Sequence, residues 1–182
     1  MANICVFCSS SSKIDEIYKK AAEELGELIG KCGHTLIYGG SRLGLMGVLS
    51  KSVKENGGKV IGIIPEHLQK LAEGEDEIIK AKNMHHRKEI MELKSDAFIA
   101  LPGGIGTLDE IFEILIGIQL KIHNKPISII NINSYYEDLI KQLDKINREG
   151  FGDLNFDIVN INDLFHFSEN PKEALDYVLK RI

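Results

Sequence analysis

The runs Ile4–Cys8, Thr35–Tyr38, Val60–Ile64, Ala97–Leu101 and Ile127–Ile132 are short, rich in β-branched residues and apolar almost from end to end. A strand with one wet face alternates apolar and polar residues, whereas a strand covered on both faces need not. These runs therefore predict strands buried between two layers. Longer amphipathic stretches lie between them. Helices are expected over Glu16–Gly30, Leu45–Glu55, Met84–Leu93, Leu108–Ile122, Tyr135–Arg148 and Pro171–Lys180, with a weaker strand over Asp157–Ile161. Strand alternating with helix requires right-handed crossovers, so the expected fold is α/β, a doubly wound parallel sheet with helices on both faces. No repeat, linker or low-complexity segment breaks the pattern, and the 182 residues are read as one domain.

Charge and composition exclude some functions. The net charge is -5, which gives no electrostatic reason to expect nucleic acid or an anionic membrane as partner. No apolar stretch is long enough to span a bilayer. "MANICVFCSS" has no basic region before its apolar run and does not read as a signal peptide; the three cysteines, Cys5, Cys8 and Cys32, suggest no disulfide framework, so a cytoplasmic location is expected. Cys5 and Cys8 form a C-x-x-C, but on a buried strand residues three apart face opposite sides, which favours a structural role. His85 and His86 are adjacent and diverge on a helix, and no other His/Cys cluster has metal-ligand spacing. No metal and no cofactor is expected.

In a doubly wound sheet, ligands bind beyond the carboxyl ends of the strands. Two glycine-rich loops are expected there: "YGGSRLGLMG" from Tyr38 after the second strand, and "PGGIGT" from Pro102 after the fourth. Glycines let backbone N–H groups approach an anion, and the helix that follows adds a partial positive charge. Ser41 and Thr107 add hydroxyls. The competing reading is that these glycines only make tight turns. Neither loop is the dinucleotide fingerprint or the P-loop, so NAD and ATP are not first choices.

Glu110 admits two readings. Thr107 and Glu110 fit the capping box T-x-x-E, in which the glutamate serves the helix start. Alternatively, Glu110 is a reactive carboxylate. Glu110 and Glu113 share the polar stripe of a helix that is otherwise mostly apolar, which turns them toward a cavity or an interface. Arg87 and Lys88, on the preceding helix, are either an anion clamp or an ordinary surface pair.

These motifs resemble those of the Lonely Guy family, the cytokinin riboside 5'-monophosphate phosphoribohydrolases, often labelled lysine decarboxylases. "PGGIGTLDE" is similar to its P-G-G-x-G-T-x-x-E, "MHHRK" to its M-x-x-R-K and "YGGSRLGLMG" to its Y-G-G-G-x-x-G-L-M-G; "VFCSSS", "QLKIHNKPISIINI" and "YYEDLI" extend the likeness over nearly the whole chain. The resemblance implies a single Rossmann-like nucleotide-binding catalytic domain. It implies cleavage of the N-glycosidic bond of nucleoside 5'-monophosphates, AMP or cytokinin ribotides, to free base and ribose 5-phosphate. Arg87 and Glu110 would be the catalytic pair. Lys88 and the loop residues Gly103, Gly104, Ile105, Gly106 and Thr107 would contact substrate, with Gly40 and Ser41 near the phosphate. The alternative is a non-catalytic nucleotide-binding or carrier protein on the same fold.

Three positions depart from the family pattern: Ser41 replaces a usual glycine, Gly117 stands where many members have tryptophan, and His67 falls near a usual glutamate. The resemblance also implies a homodimer with its active sites at the interface. The helix Leu108–Ile122 agrees, because its apolar surface exceeds what one sheet face can cover, with Ile118 counted on its outer side.

Overall fold

The computed structural model describes residues 1–151 and 164–182. The expected strand Asp157–Ile161 lies outside the described residues. The elements in chain order are β1 (Asn3–Phe7), α1 (Glu16–Lys31), β2 (Thr35–Tyr38), α2 (Gly44–Glu55), β3 (Lys59–Pro65), β4 (Glu77–Ala81), α3 (Met84–Lys94), β5 (Ala97–Ala100), α4 (Ile105–Gln119), β6 (Ile127–Ile130), α5 (Glu137–Arg148), β7 (His166–Ser168) and α6 (Pro171–Leu179). Short 3-10 turns occupy Glu66–Leu71 and Ile132–Ser134.

The seven strands among the described residues are all parallel, in the order β4-β3-β2-β1-β5-β6-β7. The chain winds outward from β1 in one direction through β4, then returns beside β1 with β5. Two loops thus diverge between β1 and β5, and a crevice opens above their carboxyl ends.

Side-chain alternation divides the core in two. Ile4, Val6 and Cys8 pack with Leu25, Ile29, Leu45, Leu49 and Leu175, under α1, α2 and α6. Cys5 and Phe7 pack on the other face with Met91, Ile111, Ile114, Leu115 and Leu143, under α3, α4 and α5. Cys5 and Cys8 therefore lie on opposite sides of the sheet, as period-two alternation requires. No helix among the described residues is long and apolar enough to cross a membrane.

The structure corrects several boundaries. β4 and β7 carry no continuous apolar run, because they are edge strands with one neighbour each; "EIIKA" and "HFS" lack the signature of strands covered on both faces. β6 stops at Ile130, and the residues up to Tyr136 form a turn rather than strand and helix. α4 starts at Ile105, three residues before Leu108, with Gly104 as its N-cap. The glycines permit this early start: Gly104 is extended, and the Thr107 and Leu108 N–H groups already donate to its carbonyl at 3.0 and 3.1 Å. Thr107 is then the third helical residue and not a cap. The capping-box reading of Thr107 and Glu110 is therefore wrong.

α4 lies on the sheet through Ile111, Ile114 and Leu115, and the partly buried Leu108 and Ile118 pack against the same cluster. Ile118 is not on the outer face. That face is Phe112, Ile116 and Leu120, of which the last two are about half exposed, at 51% and 52%.

Candidate active site

The loops after β1, β2, β3 and β5 enclose a cleft of about 460 Å³ at the switch point, within the size range of small-molecule sites. One side is polar. Ser9, Ser10 and Ser11 come from the β1 loop, Ser41 from the β2 loop, and Gly104, Gly106 and Thr107 from the start of α4. The other side is apolar, made by Met46, Ile64, Pro65, Leu68, Leu71 and Met84. Arg87 and Glu110 line the cleft while remaining 4% and 6% exposed.

The start of α4 is built to receive an anion. Asp15, Asn83 and Asn170 cap the starts of α1, α3 and α6 with their side chains. α4, like α2 and α5, has no side-chain cap, and of these three starts it is the one whose Gly104, Gly106 and Thr107 line the cleft. Among the described residues, the N–H groups of Gly104, Ile105 and Gly106 donate to no backbone carbonyl. A Cβ built on Gly104 or Gly106 would meet nothing within 4 Å, so the backbone there opens onto space. Unsatisfied donors plus the helix dipole make a natural site for a phosphate or carboxylate.

Arg87 is held from three directions. Its Nε donates to the Ile63 carbonyl at 3.1 Å, and its Nη1 donates to Glu110 Oε1 at 2.7 Å. Its other terminal nitrogen occupies the space a side chain on Gly39 would need. The reading of Arg87 as a surface basic residue is thereby excluded. Burial pushes the Glu110 carboxyl above the usual carboxylate range, and Arg87 pulls against that shift without cancelling it. A carboxyl raised in this way holds a proton more readily than a solvent-exposed glutamate does.

Gly39→Ala tests this placement. The new methyl must displace the guanidinium, and a catalytic group misplaced by about 1 Å can cost ~10²-fold in rate. Turnover should fall by that order, and the melting temperature should drop as the buried Arg87–Glu110 pair is disturbed. Wild-type turnover would show that the position of Arg87 does not matter.

The remaining candidates are distributed unevenly. Ser41 lines the cleft, buried, and its Oγ accepts the Leu43 N–H at 3.2 Å. Gly40 does not line it. Its φ of 69° and its packing on Ile64 shape the turn that carries Ser41. Gly103 is covered by Thr107, and Ile105 points outward, 87% exposed. Lys88 is outside the cleft, on the far side of Glu110, where it joins α3 to α4 by ion pairs with Asp109 (2.9 Å) and Glu113. Burial pulls its ammonium down, but the Glu113 and Asp109 carboxylates outweigh that and hold it charged. His67 and Gly117 also lie away from the cleft lining; the His123 ring sits where a side chain on Gly117 would go.

Sequence reasoning missed the serine run and the apolar wall. Ser9–Ser11 could have been found, because they follow a buried strand at the centre of the sheet. Leu68 and Leu71 could not, because a 3-10 turn leaves no apolar period to read. Cys8 also reaches the cleft, but burial pushes its thiol far up, so it is no thiolate nucleophile at neutral pH.

Residues 46–178 match the protein family described as "Possible lysine decarboxylase". A probable cytokinin riboside 5'-monophosphate phosphoribohydrolase of Oryza sativa subsp. japonica is 42% identical over 151 residues, covering 81% of this chain and 61% of the relative. A cytokinin riboside 5'-monophosphate phosphoribohydrolase of Arabidopsis thaliana is 46% identical over 151 residues, covering 81% and 66%. The chain thus spans under two thirds of the length of these relatives. Among solved structures, the molybdenum cofactor binding protein of Rippkaea orientalis superposes with a TM-score of 0.73 at 25% identity, covering 98% of this chain and 96% of that one. The molybdenum cofactor carrier protein of Chlamydomonas reinhardtii gives 0.72 at 24% identity, with 99% of each chain covered. The motifs, the sheet and the extent of these matches place the chain in the Lonely Guy family, the one described as possible lysine decarboxylases.

Proposed function

We propose that the protein hydrolyses the N-glycosidic bond of a nucleoside 5'-monophosphate, releasing the free base and ribose 5-phosphate. The observation that carries this reading is the buried Arg87–Glu110 pair in a cleft that also receives the uncapped start of α4. The 5'-phosphate would sit against the N–H groups of the second glycine loop and the nearby hydroxyls of Ser41 and Thr107. Its binding energy holds C1' beside the carboxylate. As the C1'–N bond lengthens, positive charge grows on the ribose, and Glu110 stabilises it. Glu110 also takes a proton from the attacking water, whose oxygen bonds to C1' while the base leaves with the bonding electrons; the base gains a proton from solvent, and Glu110 returns its own to solvent. Arg87 fixes the carboxylate and limits the rise of its pKa.

The apolar wall of Leu68, Leu71, Pro65 and Met84 suits an apolar substituent on the base, and the named relatives act on cytokinin ribotides. The test is a panel of alkylated and plain nucleoside monophosphates incubated with pure protein and no added cofactor. At least one should give free base, the alkylated forms fastest; failure of the whole panel ends this reading. The carrier reading keeps the same cleft but makes Glu110 only a counter-ion to Arg87, and saturable binding without turnover would support it.

The protein is further proposed to be a homodimer whose active sites lie beside the interface. Phe112, Ile116 and Leu120 form an apolar face on the helix that carries Glu110, and nothing among the described residues covers it. Ile116→Glu should therefore halve the mass measured by light scattering and lower turnover. An unchanged mass would place the interface elsewhere, and a monomeric wild type with full activity would remove it.

A further inference from the structure

Two tyrosines after β6 grip the backbone of the second glycine loop. The Tyr135 hydroxyl donates to the Gly103 carbonyl at 2.7 Å, and the Tyr136 hydroxyl donates to the Leu101 carbonyl at 2.9 Å. An unusual turn delivers them. Asn133 and Ser134 hold left-handed φ values of 52° and 55° without being glycine, and Asn131 Oδ1 accepts the Tyr136 N–H at 2.7 Å. Two successive left-handed residues of this kind persist only where the surroundings fix them.

The two bonds differ in what lies across the peptide. A trans peptide is planar and points its C=O and N–H in opposite directions, and no peptide here is cis. With the Gly103 carbonyl turned to Tyr135, the Gly104 N–H is turned away from it. Gly104 lines the cleft and caps α4. The Leu101 carbonyl belongs to a peptide that ends at Pro102, which has no N–H. The bond from Tyr136 to Leu101 therefore aims no donor, and the Gly103 backbone N–H faces the same hydroxyl, one peptide before the one that Tyr135 holds.

We propose that Tyr135 is a positioning residue for the anion cradle: its hydroxyl sets the rotation of the Gly103–Gly104 peptide and so aims the Gly104 N–H at the substrate phosphate. Without that bond the peptide is free to rotate and bring its carbonyl, a negative dipole end, toward the anion. The role rests on the monophosphate reading of the cleft, but it concerns binding and not the chemical step.

The experiment compares Tyr135→Phe with Tyr136→Phe by calorimetric titration of ribose 5-phosphate and by thermal melting. Tyr135 is 45% exposed, so Tyr135→Phe should melt near the wild type yet bind ribose 5-phosphate ~10-fold more weakly. Its KM for a monophosphate should rise by more than kcat falls. Tyr136 is 2% exposed, so Tyr136→Phe should melt lower while losing less ribose 5-phosphate affinity than Tyr135→Phe. Unchanged affinity in Tyr135→Phe, or equal weakening in both variants, overturns the proposal. So does a wild type that does not bind ribose 5-phosphate. A wild type that binds it but hydrolyses no monophosphate ends the phosphoribohydrolase reading, while a selective loss in Tyr135→Phe still supports this role.

Discussion

Glu110→Gln is expected to lower turnover by ~10²–10⁴-fold, the usual contribution of a positioned acid–base group. The amide keeps an oxygen that can accept the Arg87 Nη1 bond, so the fold should be retained. It cannot take a proton from water or offset charge on the ribose. In the proposed mechanism the active form is the carboxylate, so rate should fall as pH drops through the Glu110 pKa. Burial places that midpoint above the ordinary glutamate value of 4.5. The acid limb should vanish in Glu110→Gln. A variant with wild-type turnover would remove Glu110 from the mechanism.

Arg87→Ala is expected to damage both activity and stability. It leaves a carboxylate, 6% exposed, without its counter-charge, a change that typically costs about 3–5 kcal/mol at neutral pH. The pH dependence has a definite sign. Without Arg87 the folded-state pKa of Glu110 rises further above its unfolded value, so the folded state binds protons more readily than the unfolded state does. The penalty is absent below the unfolded pKa and grows as pH rises toward the folded one. Arg87→Ala should therefore recover stability as pH falls from neutral toward 4.5, the ordinary glutamate value. Adding Glu110→Gln should restore much of the loss at neutral pH, because no charge then remains buried. Denaturant unfolding at two pH values checks this; simple addition of the two single losses would show that the residues do not act as a unit.

Much of the fold was legible because parallel strands at the centre of a sheet must be apolar on both faces. β1, β2, β3, β5 and β6 all announce themselves that way. β4 and β7 do not, since an edge strand is half wet and its residues need not differ from a loop's. The start of α4 was misplaced because T-x-x-E imitates a cap, while the true cap is a glycine with no side chain to read. Arg87 shows a different limit. Nothing in "MHHRK" separates a buried arginine from a surface one, and what decides is Gly39, 48 positions away, which leaves room for the guanidinium. Residues on one continuous motif were found, whereas those on a turn with no motif, such as Leu68 and Leu71, required the fold.

The central claim is that Glu110, held by Arg87, cleaves the C1'–N bond of a nucleoside 5'-monophosphate. Product analysis of wild type and Glu110→Gln on the same monophosphate tests it most directly. The wild type should yield equal amounts of free base and ribose 5-phosphate, and the variant almost none. Nucleoside with inorganic phosphate, saturable binding with no product, or equal turnover by both proteins would contradict it.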